Sequence, residues 1–151
     1  MTFQKTIKGA VFAVLAALVL ATSASVVHAN ADQIKYRKAL MKGVGGAMGG
    51  LAAVVKGKVS ASNAAALADA MNSFASIAPG AFPKGSGGDK TRAKDEIWSK
   101  AAEFKAAVSA FQKAAAGVAA AASSGGNLKA AFGGLGKSCG GCHKPFRKPK
   151  S

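Results

Sequence analysis

Histidine is almost missing from this sequence: among 151 residues there are two, His28 and His143. Acidic side chains are scarce as well, six Asp+Glu against 21 Lys+Arg. No carboxylate pair for acid–base work and no nucleophile triad can be assembled around them, so an enzyme reading finds little support. Cysteine stops at two, Cys139 and Cys142. That excludes a disulfide-rich scaffold. Nothing alternates convincingly in the two-residue period of a strand, which leaves helices.

What cysteine there is stands in one place. Ser138-Cys139-Gly140-Gly141-Cys142-His143-Lys144 reads C-x-x-C-H, the pattern for covalent attachment of a c-type haem. The spacing has a chemical reason. On a helix the two thiols and the imidazole are three and four residues apart, so all three address one object. Each thiol can add to a haem vinyl group, and the next residue offers a proximal ligand to the iron. A thioredoxin-like dithiol should follow a strand in a βαβ unit, and none precedes Cys139. A structural zinc site wants about four ligands, and a plain disulfide leaves His143 without a role.

The N-terminus reads as an export signal. Lys5 and Lys8 precede an apolar run from Ala10 to Ala21, and Val27-His28-Ala29 and Ala29-Asn30-Ala31 are overlapping cleavage signals. The expected division is a signal peptide over 1–29, cut after Ala29 or Ala31, and one domain over 32–151. The apolar run is short for a membrane span. Export to the periplasm removes His28, which excludes a bis-histidine haem within one chain. Without Lys5 and Lys8, 19 Lys+Arg face 6 Asp+Glu, a net charge of +13. A Lys/Ala-rich nucleic-acid binder is the bland reading of that balance. Export and periodic apolar residues argue instead for an acidic redox partner, with no nucleic acid.

Four segments carry helical periodicity. The first, about Asp32 to Lys56, has the stripe Ile34, Arg37, Met41, Val44, Met48, Leu51 and Val55. Arg37 is the wrong residue for a core and calls for an anion, such as a haem propionate, or an escape to the rim. Gly43, Gly45, Gly46, Gly49 and Gly50 each cost about 1 kcal/mol in a helix, which implies close helix approach or room for a cofactor. The second segment starts at Ser60-Ala61-Ser62 and stops at Pro79-Gly80, with Leu67, Met71, Phe74 and Ala78 on its face. A Gly/Pro-rich connection runs to about Thr91. The third, about Asp95 to Ser123, is read as one helix with Ile97, Phe104, Val108, Phe111 and Val118 inward. The fourth starts at Asn127 and puts Leu128, Phe132, Leu135, Cys139, Cys142 and Phe146 on one face. Pro145 should end or kink it, and the tail after it reads as solvated.

These lengths predict an all-α, antiparallel up-down four-helix bundle. In that topology the end of the fourth helix lies level with the start of the first. Met41 is therefore the first candidate for a distal haem ligand, Met71 the second and Met48 the third.

The sequence over about 32–150 resembles the cytochrome c prime family, the class II c-type cytochromes. The resemblance rests on Tyr36-Arg37-x-x-x-Met41, Glu96-Ile97-Trp98, Ala130-Ala131-Phe132-Gly133 and Cys139-x-x-Cys142-His143-x-x-Phe146-Arg147. It implies one haem c per chain, held by Cys139 and Cys142, with His143 proximal, Arg37 near a propionate and Arg147 near the proximal face. Lys38, where many members carry glutamine, and Pro145 depart from the pattern. Met41 falls at the distal position, which ligates iron in low-spin members and is uncoordinated in high-spin ones. Two expectations follow from that fork. An electron carrier with Met41 bound is the main one, and a five-coordinate haem protein binding nitric oxide or carbon monoxide is the alternative. A helix-face homodimer is a further implication.

Overall fold

The computed structural model describes residues 30–149, so the expected signal peptide over 1–29 lies outside the described residues. Helix α1 covers residues 30–55, α2 Ala64–Ile77, α3 Glu96–Ser99, α4 Ala101–Ser124 and α5 Leu128–Phe146. Four of these are long, and they form the expected all-helical bundle, with one isolated bridge as the only β pairing among the described residues.

Local chemistry sets the corners. Ser60 Oγ accepts from the Ser62 N–H and opens the 3₁₀ turn Ala61–Asn63 that leads into α2. Asn127 caps α5 by accepting from the Ala130 N–H at 2.9 Å. Between α4 and α5, Gly125 takes the left-handed φ of 71° and the Gly126 N–H turns back to Ala121 O. That is a C-terminal cap only glycine adopts without strain.

The glycines of α1 fall into two groups. A Cβ built on Gly43 meets the Phe74 ring at 2.6 Å, and one on Gly50 meets Leu67 at 2.9 Å. Seven residues up α1 correspond to seven down α2, so these two contacts define an antiparallel pair whose backbones approach closely. Gly45, Gly46 and Gly49 have open space instead, so close approach explains two of the five and not the rest.

The main core is small and dry: Leu40, Ala47, Leu51, Ala68, Met71, Ala75, Phe111, Ala115, Val118 and Leu135 form one cluster. Leu40 and Ala47 lie beside the expected α1 stripe. The third segment is two helices, because Lys100 leaves helical geometry at φ −114°, ψ 50°. Its N–H closes α3 on Glu96 O, and its carbonyl accepts from the Phe104 N–H in the first turn of α4. The break turns Ile97 into a second cluster with Ala93 and Phe146. Pro145 does not end α5 at its own position. The helix runs one residue further, to Phe146, before Arg147 becomes extended.

Candidate haem site

One cavity of about 280 Å³ opens at the end of the bundle where α1 starts and α5 finishes. α5 supplies Ser138, Cys139, Cys142, His143 and Phe146, and α1 supplies Arg37, Lys38, Met41 and Val44. Phe82, Ile97, Phe104, Val108 and Phe111 complete a largely apolar lining. All five residues singled out from the sequence, Arg37, Met41, Cys139, Cys142 and His143, therefore border one space. Met71 and Met48 do not: Met71 is fully buried in the main core, and Met48 packs against that core beside Gly136. Of the three methionines considered, only Met41 reaches the cavity.

The aromatic wall is built by the second cluster. Phe82 and Phe104 meet edge-on at 4.9 Å, and Phe104 and Phe146 at 5.2 Å. Trp98 Nε1 donates to Phe82 O and Pro83 O at 3.1 Å each, which ties the 82–95 connection to α3. Cys142 packs against this group.

The donor set fits a haem better than an ion. Both cysteines are free and partly buried. Burial pushes each thiol pKa up; at Cys142 the neighbouring Cys139 adds to the rise and Arg147 opposes it. A redox dithiol needs the opposite shift. Burial, then Arg147 and Arg92, hold His143 below its ordinary pKa, which favours the neutral imidazole that can ligate. Among the described residues no three His, Cys, Asp or Glu side chains converge to hold a metal ion. Two thiols beside an apolar space and one imidazole next to them suit a flat cofactor with a metal at its centre.

Arg37 has partners within the protein itself. It is 4% exposed, and its guanidinium donates to Ala81 O (3.1 Å), Ser86 Oγ (2.8 Å), Ser86 O (2.7 Å) and Thr91 Oγ1 (3.0 Å). It also lies 5.2 Å from the Phe82 ring centroid. Four neutral acceptors 44 to 54 residues away hold the cation. Arg37 thus fastens the connection between α2 and α3 to α1, and in doing so shapes the cavity it borders.

Arg92 stands in no motif of the sequence, and the tail after Pro145 reads there as solvated. Arg92 borders the cavity and donates through Nε to Lys148 O at 2.9 Å and Pro149 O at 3.2 Å. The tail is paired rather than merely solvated, through an antiparallel bridge between Ala93 and Arg147. Neither segment has a period, so no sequence signal marks the pairing.

The profile of the family described as Cytochrome C' matches residues 32–147. A cytochrome c' of Pararhodospirillum photometricum is 40% identical over 119 residues, covering 76% of this chain and 95% of the relative. A cytochrome c-556 of Rhodopseudomonas palustris is 34% identical over 142 residues, covering 89% and 95%. The solved structure of a ferrous cytochrome c prime variant from Alcaligenes xylosoxidans with bound NO superposes with a TM-score of 0.74 at 34% identity. It covers 80% of this chain and 97% of that one.

Proposed function

Because this chain belongs to the cytochrome c' family and so binds one c-type haem, we propose that it works in the periplasm as a binder of small gaseous ligands such as nitric oxide. Cys139 and Cys142 would carry the thioether links, His143 the proximal bond, and Arg37 would border the cofactor from α1. When bound, the haem would supply a one-electron iron centre able to take a small ligand.

The observation that carries the reading is the chemistry of the cavity wall. The side chains of Met41, Val44, Phe82, Ile97, Phe104, Val108 and Phe111 offer no N–H or O–H, and the donors of the lining, Arg37, Lys38, Thr91, Arg92, Ser138, His143 and Arg147, stand beside them. The apolar stretch disfavours water and suits a small, uncharged diatomic molecule. The relative solved with bound NO, over 80% of this chain, supports the same reading.

A second reading has its own observation. Met41 alone of the three methionines considered borders the cavity, and a relative of similar identity is named cytochrome c-556. With the Met41 thioether on the iron, the protein would be an electron carrier of raised potential. No catalytic role is part of either reading, and no helix among the described residues is long and apolar enough to cross a membrane. Absorption spectra of the ferrous holoprotein separate the two. A high-spin spectrum with immediate carbon monoxide binding supports the gas binder. A low-spin spectrum that becomes high-spin in Met41→Ala replaces it with the carrier.

A further inference from the structure

Two basic segments far apart in sequence meet beside the haem cavity. Lys90, Arg92 and Lys94 precede α3, and Lys144, Arg147 and Lys148 close the chain's last helix. The bridge between Ala93 and Arg147 lays them antiparallel. The Lys94 N–H donates to Phe146 O (3.0 Å) and the Lys148 N–H to Arg92 O (2.7 Å). Arg92 Nε crosses the ribbon to Lys148 O and Pro149 O. Arg92, Lys94, Arg147 and Lys148 thereby share one short ribbon with Lys90 and Lys144 at its edges, and two of the six, Arg92 and Arg147, also border the cavity.

Asp89, Asp95 and Glu96 flank the first segment, but no carboxylate is ion-paired with any of the six. Among the described residues the one ion pair is Lys35 with Asp32, so none of the six has an acidic partner within 4.0 Å. Six cations against three flanking acids leave an excess of positive charge beside the cavity, and an anionic surface relieves that excess. Backbone pairing fixes the ribbon's shape, so the charges are presented as a set rather than as a loose tail.

We propose that this ribbon is the docking surface for a soluble acidic protein, seated over the mouth of the haem cavity. The proposal rests on the cavity holding the haem and not on which ligand takes the distal side. A single-stranded nucleic acid would need exposed aromatic rings to stack its bases, and the ribbon's one aromatic, Phe146, is 4% exposed. An anionic membrane surface attracts basic segments too, but firm seating on it adds apolar side chains that insert. The exposed large apolar residues, Tyr36, Val59 and Ile77, lie outside the ribbon.

The test compares two holoprotein variants of equal charge change. One is Lys94→Glu/Lys144→Glu/Lys148→Glu on the ribbon. The other is Lys56→Glu/Lys58→Glu/Lys129→Glu at the opposite end of the bundle. Each is titrated with the acidic flavoprotein flavodoxin, with phosphatidylglycerol vesicles and with a single-stranded oligonucleotide, at low and high salt. We expect the ribbon variant to lose about tenfold or more in flavodoxin affinity at low salt and the far-end variant less than about twofold. At high salt the difference should vanish. Equal losses in the two variants, or none on the ribbon, would overturn the proposal. So would vesicles or oligonucleotide binding the ribbon more tightly than flavodoxin does. The haem absorption of each variant is read in the same samples, so a missing haem shows itself separately from a missing partner.

Discussion

The two ends of the bundle draw on the same apolar stripes and use them differently. At the end where α4 turns into α5, Leu51, Ala68, Ala115, Val118 and Leu135 have no solvent exposure at all, and they pack on each other. At the other end Met41, Val44, Phe82, Phe104, Cys139 and Cys142 are only partly buried and face a shared space. One end closes on protein, the other on what the protein holds. Apolar periodicity therefore tells which face turns inward and is silent on what it meets there.

Removing the cofactor should break this comparison most sharply. In Cys139→Ala/Cys142→Ala no thioether can form, and the hollow end loses its filling. The expected cost is roughly 4 kcal/mol or more, comparable with losing a ligand held at a thousand times its Kd. Hydrogen exchange should speed up in the 82–94 connection and the last turns of α5, while α4 around Val118 stays protected. Uniform loss of protection would show that the ends are one cooperative unit. Next in size is a pair of truncations. Leu135→Ala, in the dry end, should cost about 3 kcal/mol in urea unfolding, against about 1 kcal/mol for Val44→Ala on the cavity wall. Equal costs would mean that Val44 is packed as tightly as Leu135.

Arg37 probes the seam between the ends. Arg37→Leu leaves Ser86 O, Ala81 O and Thr91 Oγ1 without their donor, at about 2 kcal/mol. The connection it fastens should then be cut faster by trypsin at the exposed Lys84 and Lys90. Lysine should restore little, since one ammonium cannot span four acceptors fixed by a planar fork. Unchanged cleavage would mean that Trp98 and its two carbonyl bonds hold the connection alone.

Much of this was legible in the residues. The C-x-x-C-H run, the helix lengths and the Asn127 cap all rest on local chemistry, and local chemistry is written in sequence. Met41 could be chosen over Met71 and Met48 because bundle topology sets the level of each. Three things were hidden. The partners of Arg37 and the pairing of Arg92 with the tail depend on contacts between segments without periodicity, while the break at Lys100 falls inside a segment whose apolar period runs on across it. A buried arginine announces that it needs acceptors, but Ser86 and Thr91 look like any loop hydroxyls until the connection folds over α1.

The smallest effect should sharpen the comparison within a single helix. α1 carries glycines on both of its sides, and alanine distinguishes them. At Gly46, where nothing lies within 4 Å, Gly46→Ala removes backbone freedom from the unfolded chain and should stabilise by about 0.5–1 kcal/mol. At Gly43 the added methyl meets the Phe74 ring at 2.6 Å, closer than real side chains approach. The same propensity gain is then set against overpacking, at about 1–3 kcal/mol, and the net sign should reverse. Urea midpoints of the two variants decide it. Should both move upward, Phe74 has room to swing aside, and the close pairing of α1 with α2 is looser than the contact at Gly43 implies. Should both fall, the open side of α1 is covered in solution, and the helix-face homodimer is where to look, by sedimentation of the Gly46→Ala variant.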